Sequence, residues 1–174
     1  KILLGGAFGN CKGYIRNQIA SLNANGSFDT GFYPYFANGR GPNNLVTAIT
    51  TLPDGKMFIG GYFETYNGIA VKNFAKLNAD GTIDPTFNTT GTGANSGVNK
   101  ILVLPSNKIM IVGDFTSYNG ITANRIARLN ADGTLDTTFN VGGSGSPSAI
   151  HTIALQADGK MIIGGDFYNY NGSP

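Results

Sequence analysis

The eight residues KIMIVGDF, at positions 108–115, decide the fold because close copies of them recur along the chain. The copies begin at Lys1 (KILLGGAF), Lys56 (KMFIGGYF) and Lys160 (KMIIGGDF). A second string, LNADGTLDTTF from Leu129, recurs from Leu22 and Leu77. Both strings repeat with spacings of 55 and then 52 residues. Two independent strings with one period indicate a single structural unit copied in tandem.

One complete unit, 98–139, has the pattern of four short strands separated by turns. The predicted strands are Val98–Leu104, Lys108–Phe115, Arg125–Asn130 and Thr134–Phe139. The turns between them carry Asn, Asp and Gly, which tolerate positive φ. The second strand is apolar at consecutive positions, as expected where both faces of a strand are covered. Recurring small residues at Gly113 and Ala127 predict a bulge or close backbone approach and a closely packed neighbouring sheet.

Four short strands at a period near fifty fit a β-propeller blade. The predicted fold class is therefore all-β: a β-propeller with four-stranded antiparallel blades and a period of about 52 residues, present as a partial set of blades. The whole chain, 1–174, is interpreted as one propeller segment. Because three periods and a fraction do not close a ring of four to eight blades, we expect a fragment of a larger protein, with association of copies as the alternative. The repeat units are approximately 1–32, 46–87, 98–139 and 150–174.

The combination of GGDF, YNG, RIARLN, ADGTLD and TTFN resembles the delta-sixty repeat, a bacterial and phage β-propeller repeat family of unknown function. The chain departs from that pattern at Cys11-Lys12, which replaces Tyr-Asn, and at Asn25, which replaces Asp. The resemblance implies a propeller in a large secreted, cell-surface or virion-tail protein. It implies no reaction, because the family has no established catalytic residues.

Composition argues against several classes of partner. Twelve basic and ten acidic residues are scattered along the chain and form no basic run, so neither nucleic-acid binding nor membrane insertion is expected. Cys11 is the single cysteine and His151 the single histidine, which disfavours a disulfide or a zinc cluster.

The acidic residues do not suggest an enzyme. Nine of the ten carboxylates occupy repeated positions, where near-identical surroundings cannot tune two of them apart as an acid–base pair requires. Glu64 alone is unrepeated. The repeated aspartates are predicted to accept backbone N–H bonds in turns. They lie at 29/84/136, 80/132, 54/158 and 114/166.

The segments 78–84 and 130–136 invite comparison with a calcium loop because each reads N-A-D-G-T-x-D. Aligning their glycine with the sixth loop position puts Lys76 or Arg128 where the first oxygen ligand belongs. A cation at that position opposes calcium, so we predict hairpin turns and no metal or other cofactor.

Specificity is expected in the glycine- and asparagine-rich loops 33–45, 88–97 and 140–149, which link the units and do not repeat in sequence. The candidate binding residues are Tyr33, Tyr35, Phe36 and Arg40, because Tyr and Arg are favoured at recognition surfaces. The alternative is a loop folded over its own blade edge.

The predicted function is a non-catalytic structural and interaction module, a protein–protein scaffold or adhesion element of a large extracellular, cell-surface or phage virion or tail protein. Protein partners or self-association are expected. The alternative is a lectin-like propeller that binds glycans through the inter-blade loops.

Overall fold

A computed structural model describes residues 1–32 and 41–174 of the chain. This part is all-β, with sixteen short strands and no helix. The strands are β1 (Ile2–Gly5), β2 (Asn10–Cys11), β3 (Tyr14–Ile15), β4 (Ile19–Leu22), β5 (Val46–Thr51), β6 (Met57–Gly61), β7 (Thr65–Tyr66), β8 (Ile69–Ala70), β9 (Phe74–Leu77), β10 (Val98–Val103), β11 (Ile109–Gly113), β12 (Ser117–Tyr118), β13 (Ile121–Thr122), β14 (Ile126–Leu129), β15 (Ile150–Leu155) and β16 (Met161–Gly165).

Each copy of the repeat forms one main antiparallel sheet, and the first three copies each add a separate two-stranded hairpin, β2-β3, β7-β8 and β12-β13. The main sheets of the two middle copies have three strands each, in the orders β5-β6-β9 and β10-β11-β14. The first copy contributes β1-β4 and the last β15-β16. In the third copy Ile111 pairs with Ile101 on one side and with Ala127 on the other. The all-β, repeated architecture predicted from the period is confirmed.

The fourth strand is shorter than predicted. Instead of a strand over 134–139, each middle copy has a single antiparallel bridge, which in the third copy joins Leu129 to Leu135. The strand stops there because Asp136 accepts hydrogen bonds from the backbone N–H and the hydroxyl of Thr138, and these bonds turn the chain. A blade therefore consists of three strands and one bridge.

The predicted Tyr-Asn-Gly turn is confirmed, and it forms the tip of a hairpin that the sequence did not reveal. β12 and β13 pair through only two residues each. Asn119 and Gly120 both have positive φ, 49° and 78°, as a two-residue hairpin turn requires. In the first copy Lys12 and Gly13 adopt the same conformation, with φ of 51° and 84°.

Successive sheets stack face to face and share their cores. Ile109 and Ile111 of β11 face the preceding sheet, where they pack in one cluster with Phe58. Met110 and Val112 alternate with them and join the cluster formed with the following sheet. All four side chains are at most 1% exposed. The apolar run therefore reflects a strand covered on both faces, as predicted.

The first strands of neighbouring sheets also lie side by side. The hydroxyl of Thr47 in β5 donates to the carbonyl of Val98 in β10 at 2.6 Å, and that of Thr50 donates to the carbonyl of Ile101 at 3.2 Å. Adjacent first strands are what the inner strands of consecutive blades around one axis provide.

Candidate functional site

The four predicted binding residues, Tyr33, Tyr35, Phe36 and Arg40, lie outside the residues that the structure describes. Their role stays a prediction. The described parts of the three linking loops, 41–45, 88–97 and 140–149, share one backbone contact although their sequences differ. The carbonyls of Gly41, Gly93 and Gly145 each accept the N–H of the asparagine in the following Tyr-Asn-Gly turn, at 3.0, 2.9 and 2.9 Å.

A β-bulge marks the start of the first strand in three copies. In β10, Val98 pairs with Gly113 and Lys100 with Val112, so that Asn99 has no partner across the ladder. The glycine is required because a Cβ at Gly113 would lie 2.0 Å from the carbonyl oxygen of Gly97. The same shift occurs in β5 and β15. Bulges re-aim side chains and are frequent beside functional sites.

The bulges bring together residues that differ between the copies. We call this set the bulge row: the three bulge residues together with the residue that follows the middle strand of each of these copies. Its members are Thr47, Tyr62, Asn99, Asp114, His151 and Asp166. It lies at the end of the sheets where the loops enter, since the N–H of Asp114 donates to the carbonyl of Gly97 at 2.8 Å.

Five members of the bulge row form one hydrogen-bonded chain across three blades. The Tyr62 hydroxyl bonds to the carboxylate of Asp114 and lies 3.2 Å from Asn99 Oδ1. Asn99 Nδ2 is 3.2 Å from Asp114 Oδ1 and 3.5 Å from His151 Nδ1. His151 Nε2 is 2.9 Å from Asp166 Oδ2. A proton on Nε2 of His151 lets the ring donate to Asp166 and accept from Asn99.

The environment of Tyr62 makes it a donor rather than an anion. Burial, reinforced by the hydrogen bond and the negative charge of Asp114, raises the pKa of Tyr62 to about 12. Its ring packs so closely against Gly97 that a Cβ on that glycine would come within 2.3 Å of it. The row thus holds a neutral tyrosine hydroxyl on a carboxylate at the junction of two blades.

The bulge row is not predicted from the sequence, because the repeated aspartates of the row are interpreted there as turn caps. Turn capping is confirmed for seven aspartates, which accept the N–H two residues further on. It is wrong for Asp114 and Asp166, whose carboxylates bind within the row. The signal that could have found the row is the change from Thr47 to Asn99 to His151 within otherwise similar strands.

The buried aspartates have a structural role. This role explains why Lys76 and Arg128 stand where a calcium loop would need its first oxygen ligand. Asp136 is 5% exposed and binds both Lys108 and Arg128 Nε, the latter at 2.7 Å. The pKa of Asp136 is held well below its usual range, chiefly by the bond from Lys108 and then by that from Thr138. Asp84 binds Lys56 and Lys76 in the same way, at 3.0 and 3.6 Å. These ion pairs fix the fourth-strand turn to the start of the middle strand, through Lys56 and Lys108, and to the third strand, through Lys76 and Arg128.

Within residues 1–32 and 41–174, no three His, Cys, Asp or Glu side chains are grouped so that they could hold a metal ion. No helix of that part is long and apolar enough to span a membrane.

The stacked sheets and the repeated strings define the chain as a β-propeller repeat protein. A family model described as a domain of unknown function (DUF5122) β-propeller matches residues 1–32, 52–87, 104–139 and 156–174. This match covers most of the chain, which therefore belongs to that family. No curated protein matches the chain.

Proposed function

We propose that this chain is a non-catalytic interaction module, a propeller segment of a larger extracellular, cell-surface or virion-tail protein. Within the β-propeller family, the delta-sixty repeat is the specific type that we assign. The rigid stack of blades serves as a scaffold, and the loop-bearing end presents the binding residues to a protein partner.

The observation that carries this proposal is where the copies differ. Seven of the nine repeated aspartates are occupied by turns or ion pairs, as Asp84 and Asp136 illustrate. The bulge positions hold Thr47, Asn99 and His151 on nearly the same backbone. A fixed frame with interchangeable side chains at one end is the arrangement that a recognition surface needs.

A glycan-binding, lectin-like function is the second candidate. The bulge row combines a carboxylate, an amide and a tyrosine hydroxyl at Asp114, Asn99 and Tyr62. These groups can bind vicinal sugar hydroxyls, which both donate and accept hydrogen bonds.

The test compares two faces of the same module. The wild-type chain and a variant with Asn99→Ala and His151→Ala would be immobilised for quantitative capture of surface proteins and, separately, applied to a glycan array. A matched control carries Asp54→Ala and Asp158→Ala, at turns between the first and middle strands, away from the bulges. We expect some surface proteins to be captured by both the wild type and the control but not by the bulge variant. Equal capture by all three would contradict the proposal, and glycan signals lost only with the bulge variant would favour the second candidate.

A further inference from the structure

We propose that the bulge row binds a cationic nitrogen group, the guanidinium or ammonium of an arginine or lysine side chain on the partner protein. This inference rests on the proposed interaction function and names the chemistry of its site. Its carriers are Asn99, Asp114, His151 and Asp166, which lie at the junction of two successive blades.

The first support is a contrast in charge pairing. Every buried aspartate of the described chain has a cationic partner from the chain itself: Lys1 for Asp29, Lys56 and Lys76 for Asp84, and Lys108 and Arg128 for Asp136. In the same described residues, neither carboxylate of the bulge row is paired with a lysine or arginine. Arg125 reaches Asp114 but donates to its main-chain carbonyl, which leaves the carboxylate to the Tyr62 hydroxyl and the Asn99 amide.

The second support is an excess of hydrogen-bond acceptors. The Asn99 amide has two protons, yet its nitrogen is within 3.5 Å of three acceptors: Asp114 Oδ1, the carbonyl of Ile150 and His151 Nδ1. The single proton of the Tyr62 hydroxyl is likewise shared between Asp114 and Asn99. Each carboxylate can accept about four hydrogen bonds. The row therefore lacks donors, and a guanidinium supplies five of them with a positive charge.

The third support is access. Asn99 and Asp114 are half-buried, so a charge there is less screened than on an open surface. The remaining exposure of Asn99 and Asp114 leaves a way in for a side chain of a partner, and His151 and Asp166 are 53% and 68% exposed in this segment. A planar guanidinium can bind one carboxylate through two parallel bonds.

The experiment is an NMR titration of the ¹⁵N-labelled chain with N-acetyl-arginine amide, and in parallel with N-acetyl-citrulline amide, which has the same shape but no charge. We expect saturable shifts of the amide signals of Asn99, Asp114 and His151 with the arginine compound only. Asp114→Asn and Asp166→Asn should each weaken the binding by about tenfold, the loss expected for a charged hydrogen bond. The matched control, Asp158→Asn, removes an exposed carboxylate from a distant turn and should leave the binding unchanged.

Equal shifts with the citrulline compound, or an equal loss of binding in Asp158→Asn, would overturn the inference. Shifts of the row with a methyl glycoside but not with the arginine compound would also overturn it. If the arginine compound fails and the Asn99→Ala, His151→Ala variant nevertheless loses its captured proteins, the ligand chemistry is wrong and the interaction function stands. If the arginine compound does not bind and the Asn99→Ala, His151→Ala variant captures the same proteins as the wild type, the proposed interaction function is wrong as well.

Discussion

Replacing Asp136 by Asn tests the ion-pair cluster that holds the fourth-strand turn against the middle and third strands. Oδ1 of Asp136 accepts from the N–H and hydroxyl of Thr138 at 3.0 and 2.6 Å, and an Asn side-chain oxygen can keep both bonds. Oδ2 accepts from Lys108 and from Arg128 Nε. The NH₂ group of Asn at that place faces two donors, so both charged bonds are lost.

The expected loss follows from these two bonds and from their exposure. A hydrogen bond to a charged group contributes about 1.5–3 kcal/mol in mutational series. The side chains of Lys108 and Arg128 are 35% and 25% exposed, so each can turn to water and recover part of that energy. We therefore expect the free energy of unfolding to fall by about 2–3 kcal/mol, or roughly 4–12 °C in Tm for a chain of this size.

The pH dependence separates this explanation from a simple packing defect. The folded-state pKa of Asp136 lies below its unfolded value, so its stabilisation is complete above the unfolded pKa of about 3.9 and is lost as pH falls towards the folded pKa. Urea unfolding followed by circular dichroism should show the full difference between the wild type and Asp136→Asn at neutral pH. The difference should shrink below about pH 4.

Asp158→Asn is the matched control for this prediction. Asp158 is paired with Lys160 at 3.0 Å, but both side chains are at least half exposed, at 51% and 77%. The same change there should leave the free energy of unfolding unchanged within the error of the measurement, because both charges are already solvated and screened. A difference for Asp136→Asn that is equally large at neutral pH and at pH values well below 4, or one no larger than the control's, would refute the reasoning.

Three further predictions concern the frame of the blade. Tyr118→Phe removes the buried hydroxyl that donates to the carbonyl of Gly133 at 2.9 Å and should cost about 1–2 kcal/mol in urea unfolding, whereas Tyr168→Phe, at 77% exposure, should cost nothing measurable. Gly113→Ala puts a Cβ 2.0 Å from the carbonyl oxygen of Gly97 and should lower the free energy of unfolding by about 1–3 kcal/mol or more. The control Gly9→Ala, whose Cβ would have no atom within 4 Å, should be neutral. Equal Tm values for the two variants would show that the bulge tolerates a side chain. Chelator should leave Tm unchanged, since Arg128 is engaged with Asp136, and a drop of several degrees reversed by calcium would contradict the prediction that these turns bind no metal.

Much of the blade could be predicted from the sequence because its causes are local. The turn at Asn119-Gly120 needs positive φ at both residues, and Asn and Gly are the residue types that tolerate it. The strand around Ile111 is apolar on both faces because both faces are covered, and an unbroken apolar run indicates this directly. The fourth strand was predicted too long because Thr134–Phe139 has strand-like residues, yet the carboxylate of Asp136 turns the chain at Thr138.

The candidate site is a different matter, since its residues come from three blades. Tyr62 and Asp114 occupy the same position of the repeat, 52 residues apart, and His151 occupies a different one, but the period alone does not show that these side chains touch across blades. Asp114 occupies a repeated position, so it was grouped with the turn-capping aspartates. Only the bulge opposite Gly113, and the contact of each blade with the next, bring these side chains into one hydrogen-bonded row.

By itself, the sequence determined the repeat, its period, the turns and the all-β class, because each depends on the φ preferences and hydrophobicity of neighbouring residues. The tertiary structure decided which aspartates pair with cations and which are left to the bulge row. Charge pairing and hydrogen bonding act between atoms a few ångströms apart, and stacking of the blades, rather than order along the chain, sets those distances.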